Sequence, residues 1–275
     1  MSGTLKERFF ASPSLPDCPI YDLHGHMGPL CGARLPYCSQ DDMLRQMDRA
    51  GVRRVVFCHH AALFGADIGN RVNVEAVRKH PDRFKAYCGV NGNYPDVIKR
   101  DLETFDDHSD VYVGFKFLAD YHKVPVTDER CRSVWELAQA RRLLVLLHTW
   151  GGSAFNGPDH VETAAKTYPD VRILMGHSCH GDWERATRLS KEYPNVYLEL
   201  TAVLDECGVV EMFVKKAGAD KIIFGTDTPW FNHHYYLGAL LGADITDEDR
   251  RSILYRNALR ILAPFLPETE TASAP

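Results

Sequence analysis

The sequence lacks the features that mark several protein classes. No apolar run approaches the ~18 residues of a membrane-spanning helix, and residues 1–8 carry charges without an apolar core behind them. We therefore expect neither a transmembrane span nor a secretory signal. Basic charge is not in excess either. The formal net charge is −5, which gives no basis for predicting nucleic-acid or anionic-membrane binding.

Two short motifs are also missing. None of the 8 cysteines forms a CxxC pair, and Cys58 and Cys88 lie inside apolar runs. Buried free thiols in a reducing cytoplasm fit this pattern better than a disulfide scaffold, so we predict a cytoplasmic protein. A GxGxxG turn is absent, which weighs against a doubly wound sheet with a dinucleotide site.

What the chain does contain is a regular series of short apolar runs. They lie at residues 20–23, 54–58, 84–90, 111–117, 143–148, 171–177, 196–200 and 222–225. Most are continuous rather than alternating, as in parallel strands covered on both faces. Helical patterns separate them, the first opened by Ser39 and closed by Gly51, and the fourth, at residues 127–142, opened by Thr127. Eight such units predict an α/β fold, a single-domain (β/α)8 TIM barrel.

The barrel is predicted over residues 18–265. Residues 1–17 are expected to form an extended N-terminal arm, and residues 266–275 a flexible tail. A doubly wound open sheet is the alternative architecture for the same alternation of strands and helices.

Polar side chains stand at the ends of five predicted strands, where barrel enzymes place their chemistry. These residues are His24, His26, Lys116, His148, His177 and Asp227. In a strand, residues i and i+2 point to the same side, so His24 and His26 project together. Two convergent imidazoles are half of a transition-metal site.

Taken singly, each of these residues has a structural explanation. With 13 histidines in 275 residues, chance alone supplies an HxH motif about half the time. A lone His is often a hydrogen-bonded structural residue, and Asp227 before Thr-Pro suits a turn. Lys116 is harder to dismiss because a lysine in a central strand must be paired, modified or deprotonated. Together the strand ends predict a metal centre at the barrel mouth.

The same positions resemble the amidohydrolase superfamily of metal-dependent TIM-barrel enzymes. The resemblance rests on Asp22-Leu23-His24-Gly25-His26, His148, Gly176-His177-Ser178, Phe224-Gly225-Thr226-Asp227-Thr228-Pro229 and the closing segment 253–262. It points to amidohydrolase family 2, the branch that includes aminocarboxymuconate semialdehyde decarboxylase and related hydrolases, decarboxylases and hydratases.

That resemblance implies a ligand set. His24, His26, His148 and Asp227 would bind a first divalent metal, zinc or alternatively manganese. His177 would bind a second metal or donate a hydrogen bond to substrate. Lys116 stands where two-metal members carry a carboxylated bridging lysine, which the decarboxylase branch typically lacks. Whether the site binds one metal ion or two therefore remains open. Lys116 is also a candidate catalytic amine.

Chemically, three imidazoles and a carboxylate leave a coordination position in which a metal can activate water. Asp227 can then relay a proton, His177 can polarise a carbonyl, and Glu199 with Thr201 can orient a ligand imidazole. The primary hypothesis is hydrolysis of an amide, lactone or ester in a small organic molecule. The alternatives are a decarboxylase or hydratase of an unsaturated or aromatic carboxylate, and a non-catalytic barrel with a structural metal.

Aromatic and His side chains follow several predicted strands and suggest a pocket for a small, ring-containing or unsaturated molecule. The candidate substrate-binding residues are His59, Tyr121, Trp150, Trp230 and Phe231. We predict no nucleic-acid or membrane partner, and a homo-oligomer only on the general frequency of dimers.

Overall fold

Eight parallel strands form the centre of the molecule. The computed structural model describes residues 3–65 and 68–272. The strands are β1 Ile20–Met27, β2 Val52–His59, β3 Phe84–Val90, β4 Tyr112–Phe117, β5 Leu144–Trp150, β6 Arg172–His180, β7 Val196–Glu199 and β8 Ile222–Ile223. They pair in chain order from β1 to β8. The predicted (β/α)8 barrel is therefore confirmed.

The ring closes between the first strand and the segment that follows the last. The Leu23 N–H donates to the Phe224 carbonyl at 3.0 Å, and the Asp227 N–H donates to the His24 carbonyl at 2.7 Å. Closure thus brings the end of β1 directly beside the residues after β8. This juxtaposition builds the site described below.

Helices surround the strands and cover their apolar outer faces. They are α1 Leu5–Ala11, α2 Gln40–Ala50, α3 His60–Phe64, α4 Arg71–Lys79, α5 Pro95–Glu103, α6 Ala119–His122, α7 Arg132–Arg141, α8 Pro158–Thr167, α9 Trp183–Glu192, α10 Val209–Ala217, α11 His233–Gly242, α12 Asp247–Arg251, α13 Asn257–Leu262 and α14 Glu268–Ala272. A π-helical turn, Ser252–Arg256, joins α12 to α13. Across the part of the chain that the structure describes, no helix is both long and apolar enough to cross a membrane.

The helix caps confirm one predicted helix boundary and contradict another. Ser39 caps α2 by accepting the Asp42 N–H, and Gly51 ends the helix in the left-handed conformation at φ 73°, as predicted. The expected cap at Thr127 is wrong. Asp128 instead caps a short 3-10 turn by accepting the Arg130 N–H, and α7 begins only after that turn.

Both ends of the chain are more ordered than the sequence suggested. The predicted extended arm is helical over α1, because a capping box joins Thr4 to Glu7 and the residues Leu5 and Phe9 are buried. The predicted tail contains α14, whose Glu270 carboxylate accepts two hydrogen bonds from the buried Arg54 guanidinium. Residues 273–275 of that tail lie outside the described part.

Candidate metal centre

The end of β1 and the segment after β8 bring three potential ligands together. His24 Nε2 lies 3.4 Å from Asp227 Oδ1, and His26 Nε2 lies 3.1 Å from the same oxygen. The backbone fixes this arrangement, since the His26 N–H donates to the Thr228 carbonyl at 2.6 Å. Asp227 itself adopts the left-handed conformation at φ 60°, a sparsely populated backbone state that the surrounding structure must enforce.

Glu199 on β7 orients the first imidazole. Its buried carboxylate accepts hydrogen bonds from His24 Nδ1 at 2.9 Å, the His177 N–H at 3.1 Å and the Thr201 hydroxyl at 2.6 Å. With the proton of His24 on Nδ1, its Nε2 carries a lone pair toward the site. Burial lowers the pKa of His24 well below its ordinary value, so the ring is neutral. Gly225 leaves the space that Glu199 needs, because a methyl group there would overlap Oε1.

His26 is oriented in the same sense by a different partner. Its Nδ1 lies 2.9 Å from the Cys58 carbonyl oxygen, which can only accept, so Nδ1 carries the proton and Nε2 the lone pair. That lone pair faces Asp227 Oδ1, a buried atom with no hydrogen-bond donor among the described residues. Burial acts to raise the pKa of Asp227, but the charge that the neighbouring imidazoles carry when protonated, together with the hydrogen bond that His26 donates in that state, outweighs it and lowers the pKa well below its usual range.

These lone pairs create a demand for positive charge. Two imidazole nitrogens, His24 Nε2 and His26 Nε2, converge on an ionised oxygen of Asp227. No proton lies between His26 Nε2 and that oxygen. A divalent cation would relieve the repulsion. Imidazole nitrogen with carboxylate oxygen is a donor set that zinc and manganese accept. The residues present therefore fit a divalent metal ion.

His148 and His177 form a directed chain of hydrogen bonds. The Trp150 indole N–H donates to His148 Nε2 at 2.6 Å, and His148 Nδ1 lies 2.9 Å from His177 Nε2. His177 Nδ1 lies 3.3 Å from the Thr201 carbonyl. Because the indole only donates and the carbonyl only accepts, every proton in the chain points from Trp150 toward Thr201. Burial lowers the pKa of His148 well below its ordinary value and that of His177 to about 3.

The predicted first-metal set does not assemble as a whole. Ligand atoms of His24, His177 and Asp227 all lie within 4.8 Å of one another, and His26 joins them through Asp227. His148 has both ring nitrogens engaged in the chain from Trp150. The structure thus places His177, rather than His148, in the compact group. A metal-binding role for His148 stays a prediction.

Lys116 on β4 is fully buried beside the imidazoles of β1. Its Nζ lies 2.8 Å from His24 Nε2. Burial lowers the pKa of Lys116 to about 8, although Asp227 and Glu199 act to raise it. The lysine is therefore paired with His24, which is one of the outcomes that the sequence allowed for a lysine in a central strand.

A cavity of ≈ 190 Å³ opens above this cluster. Its walls are mostly apolar and aromatic, with polar groups at the floor. The lining residues are His26, Leu30, His60, Leu63, Phe64, Leu118, Tyr121, His148, Trp150, His177, Ala202, Asp227, Trp230 and Phe231. Four predicted pocket residues, Tyr121, Trp150, Trp230 and Phe231, are among them. Neither Lys nor Arg occurs among the described lining residues.

His59 is the predicted pocket residue that does not line the cavity. It ends β2, and its Nδ1 caps α3 by accepting the Ala61 N–H at 3.0 Å. The next residue takes the predicted place, because His60 stacks on His26 with ring centroids 5.0 Å apart. The period-2 alternation of the strand is lost where α3 begins, which shifts the inward position by one residue.

Sequence reasoning missed the role of Asp22 and His233. The buried Asp22 carboxylate accepts from the His24 N–H at 3.0 Å, from the Thr226 hydroxyl at 2.5 Å and from His233 Nε2 at 3.0 Å. It therefore ties β1 to the segment that carries Asp227. Alternation along β1 could have placed Asp22 on the face of His24, but its partner on α11 had no local signal.

Solved structures similar to the chain share this fold. An uncharacterized TIM-barrel protein from Bordetella bronchiseptica is 17% identical, with a TM-score of 0.74 and 89% of this chain and 98% of that chain covered. A dihydroxybenzoic acid decarboxylase from Polaromonas sp. JS666, solved with bound manganese, is 18% identical, with a TM-score of 0.73 and coverages of 91% and 98%. A 5-carboxyvanillate decarboxylase from Sphingomonas paucimobilis is 13% identical, with a TM-score of 0.70 and coverages of 90% and 99%.

At these identities the structural similarity establishes the fold alone. No curated protein matches the chain significantly. The sequence profile of the amidohydrolase family Amidohydro_2 matches residues 21–263, from the start of the HxH strand to the end of α13. On that match, which spans most of its length, the chain belongs to amidohydrolase family 2.

Proposed function

We propose that this protein is a metal-dependent decarboxylase of a small aromatic carboxylate. The observation that carries the proposal is the cavity itself. Its walls are largely aromatic and aliphatic, and His26, His177 and Asp227 of the metal-ligand cluster line it as well. Five of the similar structures are named as decarboxylases of dihydroxybenzoate or carboxyvanillate, which supports this reaction over hydrolysis.

The walls orient the substrate and remove water from it. Trp150, Trp230 and Phe231 offer ring faces and edges to a planar substrate, whose carboxylate would then point toward the floor. The apolar walls exclude water from the ring, on which negative charge develops as carbon dioxide leaves.

Positive charge at the floor fixes that end. His24, His26 and Asp227 would hold a divalent ion, with His177 close by, and we propose manganese or zinc. When bound, such an ion supplies electrostatic stabilisation to the carboxylate and to charge that develops on the ring. The neutral state of His24 and the ionised state of Asp227 are the protonation states that metal binding requires.

Loss of carbon dioxide must be balanced by a proton delivered to the same ring carbon. Asp227 is the only carboxylate among the described residues that line the cavity, and its Oδ1 lacks a donor. We assign to the Asp227 carboxylate the transfer of a proton from water to the ring carbon. The directed chain from Trp150 keeps His148 and His177 neutral, so these rings orient the substrate instead of supplying its proton.

Hydrolysis is the second candidate, and the same Asp227 oxygen favours it. A carboxylate that lines the cavity beside the metal-ligand cluster can equally accept a proton from an attacking water. The two reactions share the floor of the cavity and differ in the bond that breaks.

The test uses the full chain loaded with Mn²⁺ and, in parallel, with Zn²⁺. Substrates are 2,6-dihydroxybenzoate, 5-carboxyvanillate and related hydroxybenzoates, together with aryl esters and lactones. Decarboxylation predicts trapped carbon dioxide and one deuterium on the product ring in D₂O. Lactone or ester cleavage without carbon dioxide release from any carboxylate would contradict it.

Two histidine variants give a matched control within that assay. His60→Ala removes a cavity-lining ring that stacks on His26, whereas His59→Ala removes its neighbour outside the cavity. We expect kcat/KM to fall in the His60 variant and to stay near wild type in the His59 variant. Asp227→Asn should abolish turnover.

A further inference from the structure

An open groove adjoins the cavity on the side of Trp150. Its volume is ≈ 720 Å³, against ≈ 190 Å³ for the cavity. Three residues, Tyr121, His148 and Trp150, line both spaces. The remaining described residues that line the groove are Asp120, Lys123, Gly152, Ser153 and His180. The two spaces are therefore contiguous, and a ligand longer than the cavity would extend into the groove.

Lys123 distinguishes the groove chemically from the cavity. Among the described residues, neither Lys nor Arg lines the cavity, and Lys123 is the one Lys or Arg that lines the groove. Its ammonium lies 5.2 Å from the centroid of the Phe155 ring and forms no ion pair within the described part of the chain. A ring face attracts the charge but leaves the N–H donors available to an anionic ligand.

The local backbone holds Lys123 beside the groove. The residue ends α6 in the left-handed conformation at φ 56°, and its N–H donates to the Ala119 carbonyl at 2.7 Å. The ring below the ammonium is also anchored, since the Phe155 N–H donates to Ser153 Oγ at 3.0 Å and its carbonyl accepts the Val126 N–H at 2.9 Å.

The carboxylate that lines the groove does not pair with this lysine. Asp120 Oδ1 accepts from the Ser153 hydroxyl at 2.6 Å, and Asp120 Oδ2 is buried. The side of the groove next to the cavity is aromatic, with the rings of Trp150 and His180 4.6 Å apart between centroids. The groove therefore offers aromatic surface to the body of a ligand and one unpaired cation to an anionic end.

We propose that the groove is a second subsite, in which Lys123 binds an anionic group at the end of the substrate remote from the metal cluster. The substrate is then an aromatic acid with a second carboxylate, which extends past Tyr121 and Trp150. This inference rests on the proposed function, because the cavity must hold the first carboxylate at its floor. Lys123 is exposed, so its ion pair should add about two- to fivefold in affinity and weaken with salt.

The experiment measures ligand binding to the full chain in Mn²⁺ by calorimetry, without turnover. The probes are terephthalate and two longer diacids, with one or two methylene groups between the ring and the second carboxylate. Each diacid is compared with the primary amide of that second carboxyl group, which keeps the shape and removes the charge. We expect at least one diacid to bind about two- to fivefold more tightly than its amide, and the preference to shrink in high salt.

Three variants assign the preference to its residue. Lys123→Met should abolish it, and Lys123→Arg, which keeps a cation, should retain it. Lys166→Met is the matched control, because Lys166 also lies over an aromatic ring, that of Tyr193, but on α8 and outside the groove. Circular dichroism checks each fold, and Lys123→Gln replaces Lys123→Met if the latter does not fold.

The proposal is overturned if no diacid binds more tightly than its amide, or if the preference survives the loss of the Lys123 charge. Its failure is distinguishable from failure of the proposed function. Release of carbon dioxide from hydroxybenzoates without a diacid preference overturns the second subsite alone. A preference that depends on Lys123, without decarboxylation of any carboxylate, supports the subsite and overturns the proposed reaction alone.

Discussion

Glu199→Gln tests whether the carboxylate behind His24 prepares the site for metal. All the groups that contact this side chain are donors: His24 Nδ1, the His177 N–H, and the N–H and hydroxyl of Thr201. A glutamine amide has one accepting oxygen, so whichever way it turns, its NH₂ group faces a backbone N–H. The substitution also removes the negative charge behind the His24 ring.

Both consequences have expected magnitudes. One buried backbone N–H loses its acceptor, which should lower the free energy of unfolding of the metal-free protein by about 1–3 kcal/mol. Loss of the carboxylate partner of a ligand imidazole typically weakens metal binding about 10- to 100-fold. We therefore expect Mn²⁺ affinity to fall within that range while the fold is retained.

Calorimetry with Mn²⁺ and urea unfolding followed by circular dichroism measure the two effects separately. Thr201→Val is the control, because it removes the hydroxyl that donates to Glu199 but retains the carboxylate and its charge. Its Mn²⁺ affinity should stay near wild type. If folded Glu199→Gln protein binds Mn²⁺ as tightly as the wild type, Glu199 does not prepare His24 and the assigned ligand role of His24 loses its basis.

Three further predictions concern stability. Trp150→Phe leaves His148 Nε2 without its indole donor and should cost about 1 kcal/mol in urea unfolding. Glu270→Gln breaks the ion pair with the buried Arg54 and should cost about 3–5 kcal/mol. Burial acts to raise the pKa of Glu270, but the hydrogen bond and charge of Arg54 outweigh it and lower that pKa. The cost of Glu270→Gln should therefore shrink as acid protonates the wild-type carboxylate. Burial lowers the pKa of His60 from 6.5 to about 4, so His60 alone should cost the folded state roughly 3 kcal/mol as the pH falls from 6.5 to 4, and His60→Gln should lose that much less stability than the wild type over this range.

The sequence was sufficient for the barrel and for which strand ends meet. Apolar runs of strand length mark buried parallel strands, and closure of eight such strands brings His24, His26 and Asp227 together without further information. The expected orientation of a ligand imidazole by Glu199 also holds in the structure, because alternation along β7 is regular up to that residue.

Alternation was insufficient where strands pass into other elements. His59 and His60 straddle the start of α3, so the inward residue was assigned one position too early. The C-terminal tail is held by the contact between Arg54 and Glu270, which are 216 residues apart in the sequence. No local sequence pattern predicts a contact over that distance. Likewise, only the three-dimensional structure shows that the Trp150 indole engages His148.

Hydrogen-bond direction also bears on the number of metal ions. In the chain from Trp150, the lone pair of His148 Nε2 accepts from the indole and that of His177 Nε2 accepts from His148. Among the described residues of the site, His26 and the free oxygen of Asp227 are then left to bind a metal, together with His24 once Lys116 moves away from its Nε2. They suffice to anchor one ion, whose remaining positions go to water or substrate. A second ion would have to break the chain from Trp150 or use a modified Lys116, so we infer that the site holds one.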